Sequence, residues 1–233
     1  MRVIVSIYIA CIVCLFTNVQ AQLVPSSYEN IDHLMTFSKG SSITWGDDDF
    51  VQTYFFSVPK DHEGNFYLRV FDPNCSGELD QANGSFDSKT KFSVYGGKDA
   101  YNHPAARKVN PERGYDSGLL LDSKTFGNED TFEGKWYTFG PFNAKEGDLD
   151  GSRFVFKLLI EGQEGNDGNG YRLAMSSESD KNKDVEAALA VAYEVCFRLK
   201  SSVKEVAHFY PFIDPEVISV KQNNFDFDGN GEM

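Results

Sequence analysis

The chain has 233 residues, 35 of them Asp or Glu against 22 Lys or Arg, for a formal net charge of −13 at pH 7. Nucleic acid and anionic membrane would both repel such a surface, so neither is expected as a partner. Cation binding and solubility outside the cell are compatible with it, although acidic surfaces are also common among exported proteins.

The first 21 residues carry one charge, Arg2, then an apolar block over 3–16 and the sequence Val19-Gln20-Ala21. This is the pattern of a secretory signal peptide cut after Ala21. The apolar run falls short of the roughly 20 residues that span a bilayer. No transmembrane span is therefore expected after cleavage, and the mature chain is expected to be secreted, periplasmic or at the cell surface. What remains has the size of one all-β domain. It keeps two of the four cysteines, Cys75 and Cys196. Two cysteines are no disulfide framework, so their pairing is open.

Residues 22–46 are weakly patterned and read as a lead-in with one short strand near 43–45. FVQTYFFSV (50–58) is aromatic and β-branched, a strand, and after a turn over 59–64 NFYLRVF alternates with period 2. These two read as a hairpin with a longer loop. An acidic, Gly-rich loop over 72–87 leads to a further alternating run ending at Gly96-Gly97. Residues 98–118 hold two prolines and no period, a long surface excursion of the kind that is usually functional or mobile.

Strands are expected over 119–126 and 136–142, the latter at a sheet edge or ending at Pro141. SRFVFKLLI (152–160) is the strongest strand, paired across EGQEGNDGNG with a strand over 171–175. VEAALAVAYEVCFRL (185–199) is ambiguous: its alanines favour a helix in the first half, and its alternation from Val191 a strand in the second. Two more strands are expected over 203–212 and 217–223. The sum is an all-β fold, an antiparallel β-sandwich (jelly-roll-like) of about nine or ten strands, with a closed barrel as the alternative. The expected division is a signal peptide over 1–21, the lead-in over 22–46, the sandwich over 47–223, and an acidic Gly-rich tail over 224–233.

Calcium takes six to eight oxygen ligands, gathered from carboxylates and carbonyls on turns. The 72–87 loop offers Asp72, Asn74, Glu78, Asp80, Asn83 and Asp87, and the 161–170 loop Glu161, Glu164, Asn166, Asp167 and Asn169. Loops at one end of a sandwich converge, so a shared Ca2+ site is expected, although Asp, Asn and Gly also populate turns for conformational reasons alone. DFDGNGEM (226–233) resembles the start of an EF-hand loop, with Asp226, Asp228 and Asn230 at ligand positions 1, 3 and 5. It lacks the entering helix and the position-12 glutamate, and a tight turn is the competing reading.

Catalytic motifs are missing: no Gly-x-Ser-x-Gly, His-Glu-x-x-His or Gly-x-Gly-x-x-Gly, and four scattered histidines. Two carboxylates could still serve a carbohydrate-active enzyme on a jelly roll. Among the many aromatics, Tyr95, Tyr101, Tyr115 and Trp136 sit near loops and could stack on a sugar, core or rim packing being the competing reading. Asn74-Cys75-Ser76 and Asn83-Gly84-Ser85 are formal glycosylation sequons.

The succession YFFSVP, FYLRVFDPN, SGELDQANG and TKFSVYGG, continued by KWYTFGPF, EGNDGNGYRL and VISVKQNNFDFDGNG, is similar to secreted bacterial β-sandwich modules of the pre-peptidase C-terminal type. It is closer still to those at the start of OmpA-type outer-membrane-associated proteins. The resemblance implies a non-catalytic, often calcium-stabilised surface module with a role in adhesion or envelope organisation, its partner a glycan or a cell-envelope protein. Carried over residue by residue, it implies Asp72, Glu78, Asp80, Asp167 and Asn169 as ion-loop residues. Cys75 and the lack of an anchoring domain in this sequence depart from that pattern. A purely structural spacer is the third reading.

Overall fold

The computed structural model describes residues 22–41, 49–108, 115–200, 206–211, 213 and 217–221. The signal segment, the expected strand over 43–45 and the EF-hand-like Asp226, Asp228 and Asn230 lie outside the described residues.

Twelve strands are described: β1 (Gln22–Val24), β2 (Ile31–Phe37), β3 (Val51–Pro59), β4 (Asn65–Phe71), β5 (Lys89–Gly96), β6 (Leu119–Phe126), β7 (Trp136–Asn143), β8 (Asp148–Asp150), β9 (Arg153–Glu164), β10 (Gly168–Ser176), β11 (Leu189–Ala192) and β12 (Phe197–Leu199). They form two antiparallel sheets packed face to face. One runs β12-β2-β10-β4-β7 with β1 also on β10; the other runs β11-β3-β9-β5-β6 with β8 also on β9. The fold is a β-sandwich, with more strands than the sequence led us to expect.

Period-2 burial explains the core. Tyr54, Phe56 and Val58 of β3 and Phe156, Leu158 and Ile160 of β9 meet Phe66, Leu68 and Val70 of β4 and Tyr171, Leu173 and Met175 of β10. Edge-to-face ring pairs bridge the sheets, Phe66 to Phe156 at 4.9 Å and Phe92 to Tyr171 at 5.4 Å.

The connections correct several expectations. The strands over 50–58 and 65–71 do not form a hairpin: β3 pairs with β9 and β11, β4 with β10 and β7. Nor do β9 and β10 pair across EGQEGNDGNG. Each pair straddles the two sheets, because both members bury an apolar face and the sandwich brings those faces together through its middle. The glycines there serve mainly close approach: a Cβ on Gly168 would come within 2.7 Å of Met35 and Phe37 side-chain atoms, leaving Gly165, at φ +86°, as the residue that needs the left-handed conformation.

The lead-in is also part of the sandwich. β2 lies between β10 and β12 with Leu34, Met35 and Phe37 buried, and it is covered on both faces, which erases the alternation that would have marked it. Over 185–199 no helix forms. The expected strand splits into β11, on β3, and β12, on β2, as the chain changes sheets. The described residues over 206–221 form no strand. They meet the sandwich through the His208 amide on the Glu29 carbonyl and the Phe197–Phe209 ring contact, and Ile213 and Ile218 stay exposed. Pro141 behaves as expected, since β7 is an edge strand. The long loop after Gly97 packs on the outer face of the second sheet, with Ala106 against Phe55 and Ala100 against Tyr95 and Leu159.

Candidate functional site

The acidic loop over 72–88 joins β4 of one sheet to β5 of the other, so it must cross the end of the sandwich. There it meets the β6–β7 loop, with the Cys75 amide on Gly127 O and the Asp72 amide on Lys135 O, both 2.9 Å. It also meets the start of β10, where Gln81 and Gly168 exchange two hydrogen bonds of 2.9 Å. The expected convergence of the 72–87 and 161–170 segments therefore occurs.

What the carboxylates do there is specific. Asp167, fully buried, accepts the amide of Asn83 on Oδ1 at 2.8 Å and those of Asp87 and Ser88 on Oδ2 at 3.0 and 3.2 Å. Asp80 accepts Ser76 and Gly77 on Oδ2 at 2.7 and 2.9 Å, and Gly170 on Oδ1 at 2.7 Å. Asp72, with φ +57°, accepts Gly134 at 2.9 Å. Asn74 bridges the same loop, accepting from the Phe132 amide at 3.0 Å and donating to Glu129 O. Asn169 donates to Pro73 O at 2.9 Å, and its buried Oδ1 has no protein donor.

Burial dominates the electrostatics of this end. It pushes Asp80 up to about 7 against the pull of its three amides. It raises Asp72 to about 6, with Glu133 adding a like charge. Burial and the surrounding acids also push the Cys75 thiol far up, so it is inert. Neither Cys75 nor Cys196 forms a disulfide.

Of the expected ion ligands, Asp72, Asp80, Asp167 and Asn169 gather at this end. Glu78 is exposed, and Glu161 lies on β9 opposite Lys91, 4.0 Å away. Among the described residues no three His, Cys, Asp or Glu side chains are placed to hold a metal ion. The physical reason is that the Oδ2 atoms of Asp80 and Asp167 each already take two N–H donors, which fills their two lone pairs. Glu133 was not foreseen. It accepts the Ser76 hydroxyl at 3.0 Å, and with Asp72 it is the part of the cluster least occupied by amides. Only its position in the acidic β6–β7 loop, GNEDTFEG, could have pointed to it. Asn74 is fully buried, which removes the first sequon from solvent, whereas Asn83 is exposed.

The remaining candidates are dispersed. His33 is buried, which lowers its pKa, and His103 accepts the Ala105 amide at 3.1 Å. Trp136 stacks near Phe71 and Arg69, and Tyr95 lies under the ammonium of Lys157. Lys157 itself was missed: it is fully buried, donates to Ser117 O at 2.6 Å, and is pushed down to about 8 by burial. No protein-family model, curated protein or solved structure matches this chain.

Proposed function

We propose that the chain is a non-catalytic β-sandwich module of the cell surface or exported space, which contacts a glycan or a cell-envelope protein and takes up calcium weakly at its carboxylate-rich end. The observation that carries this reading is the use made of the carboxylates at the end of the sandwich. Asp72, Asp80 and Asp167 are turned onto backbone amides of crossing loops, which holds a surface together. The likeness to pre-peptidase C-terminal modules supports the same class. Calcium is assigned to the adjacent carboxylates of Asp72 and Glu133. Extracellular modules bind this ion at about 10⁻⁴–10⁻³ M.

The test is thermal melting in EDTA and in 10 mM calcium. With a millimolar Kd, linkage predicts about 1.4 kcal/mol of added stability, or about 3–6 °C in Tm, abolished by Glu133→Gln. An unchanged Tm removes calcium from the reading and leaves the module intact. The alternative is a carbohydrate-active enzyme, in which Asp80, whose carboxyl burial raises to about 7, would serve as general acid. Release of reducing sugar from a polysaccharide, lost in Asp80→Asn with the fold retained, would replace the present reading.

A further inference from the structure

The outer face of the second sheet carries a feature outside the acidic end. Val51, Thr53 and Phe55 of β3 alternate outward, and the loop over 101–108 and the residues just after β11 rise on either side of them. Between them is a cavity of about 10 Å³, whose lining includes Thr53, Phe55, Lys108, Tyr193 and Glu194. It has room for about one water-sized group.

Tyr193 is the exposed wall, 51% accessible. Its ring stands edge-on to Phe55, with centroids 5.9 Å apart at 77°, and its hydroxyl is 3.0 Å from that of Tyr101. Tyr101 is in turn fixed on Phe55 at 5.1 Å, and the Arg107 guanidinium lies over its ring at 5.1 Å. Tyr101 is thus a buttress with an occupied face, and Tyr193 the open ring, held in position before any ligand arrives.

Resting on the reading of a glycan-contacting module, we infer that Tyr193 is the stacking platform of a neutral-pyranoside site, with Lys108, Glu194 and Thr53 as its polar rim. The negative face of an aromatic ring attracts the weakly positive C–H face of a sugar ring. A fixed tyrosine supplies that area at little entropic cost. The rim pairs one cationic donor with one anionic acceptor and a hydroxyl that does both, the complement of sugar hydroxyls rather than of an ionised ligand. The cavity is too small for a ring, so the sugar lies on Tyr193 and sends a single hydroxyl or hydroxymethyl group inward. One ring over one platform binds weakly, in the millimolar range for a single contact, and gains from repeated units.

The full chain is titrated with cellohexaose, xylohexaose, laminarihexaose and mannohexaose by saturation-transfer NMR. At least one is expected to bind. Tyr193→Ala should weaken that binding at least tenfold and Lys108→Ala, on an exposed loop position, a few-fold. Tyr193→Trp should retain it, and Trp136→Ala, on the other sheet, should leave it unchanged. Circular dichroism and Tm of each variant separate lost binding from lost fold, and Lys108→Ala carries the test if Tyr193→Ala unfolds. Binding that survives both Tyr193→Ala and Lys108→Ala overturns this site while the glycan reading stands. Failure of the wild-type chain to bind any of the four overturns both.

Discussion

Single side chains at the acidic end are held by partners distant in sequence, and their removal should be correspondingly costly. Asp167→Ala would orphan the amides of Asn83, Asp87 and Ser88; Ser88 is buried whereas Asn83 and Asp87 are exposed and can turn to water, and a buried unsatisfied donor costs roughly 1–3 kcal/mol. We expect a loss of about 2 kcal/mol in denaturant unfolding, with Asp167→Asn milder because it keeps one acceptor. The raised carboxylates set a pH slope. Asp72, beside Glu133 and Arg172, and Asp80, beside Asp72, hold protons in the native state that the unfolded chain has released. Their contribution is therefore full below about pH 4 and is lost as pH rises through about 6 to 7, so Tm should fall across that window. Lys157 acts in a higher window. Its native pKa of about 8 lies below the ordinary 10.5, so between those values the unfolded state binds more protons and this group's contribution rises with pH. The difference in pH slope between wild type and Lys157→Met, measured by chemical unfolding from pH 7.5 to 10, should show that rise and its loss.

At the level of the strand, close approach matters as much as alternation. A Cβ on Gly162 of β9 would run into the Phe37 carbonyl at the end of β2, a backbone atom that cannot swing aside. Gly162→Ala should therefore destabilise by about 2 kcal/mol or more, in the range of overpacked cores. Gly84, at φ +99° in open space, should lose only about 1 kcal/mol on the same change, from backbone strain alone. Strong amphipathic strands such as β4 and β9 were legible from their own residues. β2 was not, since burial on both faces removes the period, and the split of 189–199 into β11 and β12 follows from which sheet each half joins.

Across the whole molecule, the described residues over 206–221 add no strand to either sheet. Truncation after residue 200 should leave a cooperatively folding sandwich with Tm within a few degrees of the full chain, since the described residues there meet it through Val206, His208 and Phe209 and extend neither sheet. Composition and period were enough to determine an all-β chain and its acidic loops, because side-chain alternation and turn chemistry are local properties. Which strands pair, and what the carboxylates touch, was decided only in three dimensions. Asp167 and its three donors lie about eighty residues apart. Nothing local in an Asp-rich loop distinguishes an acid that faces an ion from one that turns inward onto amides. That choice belongs to the crossing of the chain between sheets, which brings backbone N–H groups to the sandwich end, where burial makes leaving them unpaired too costly.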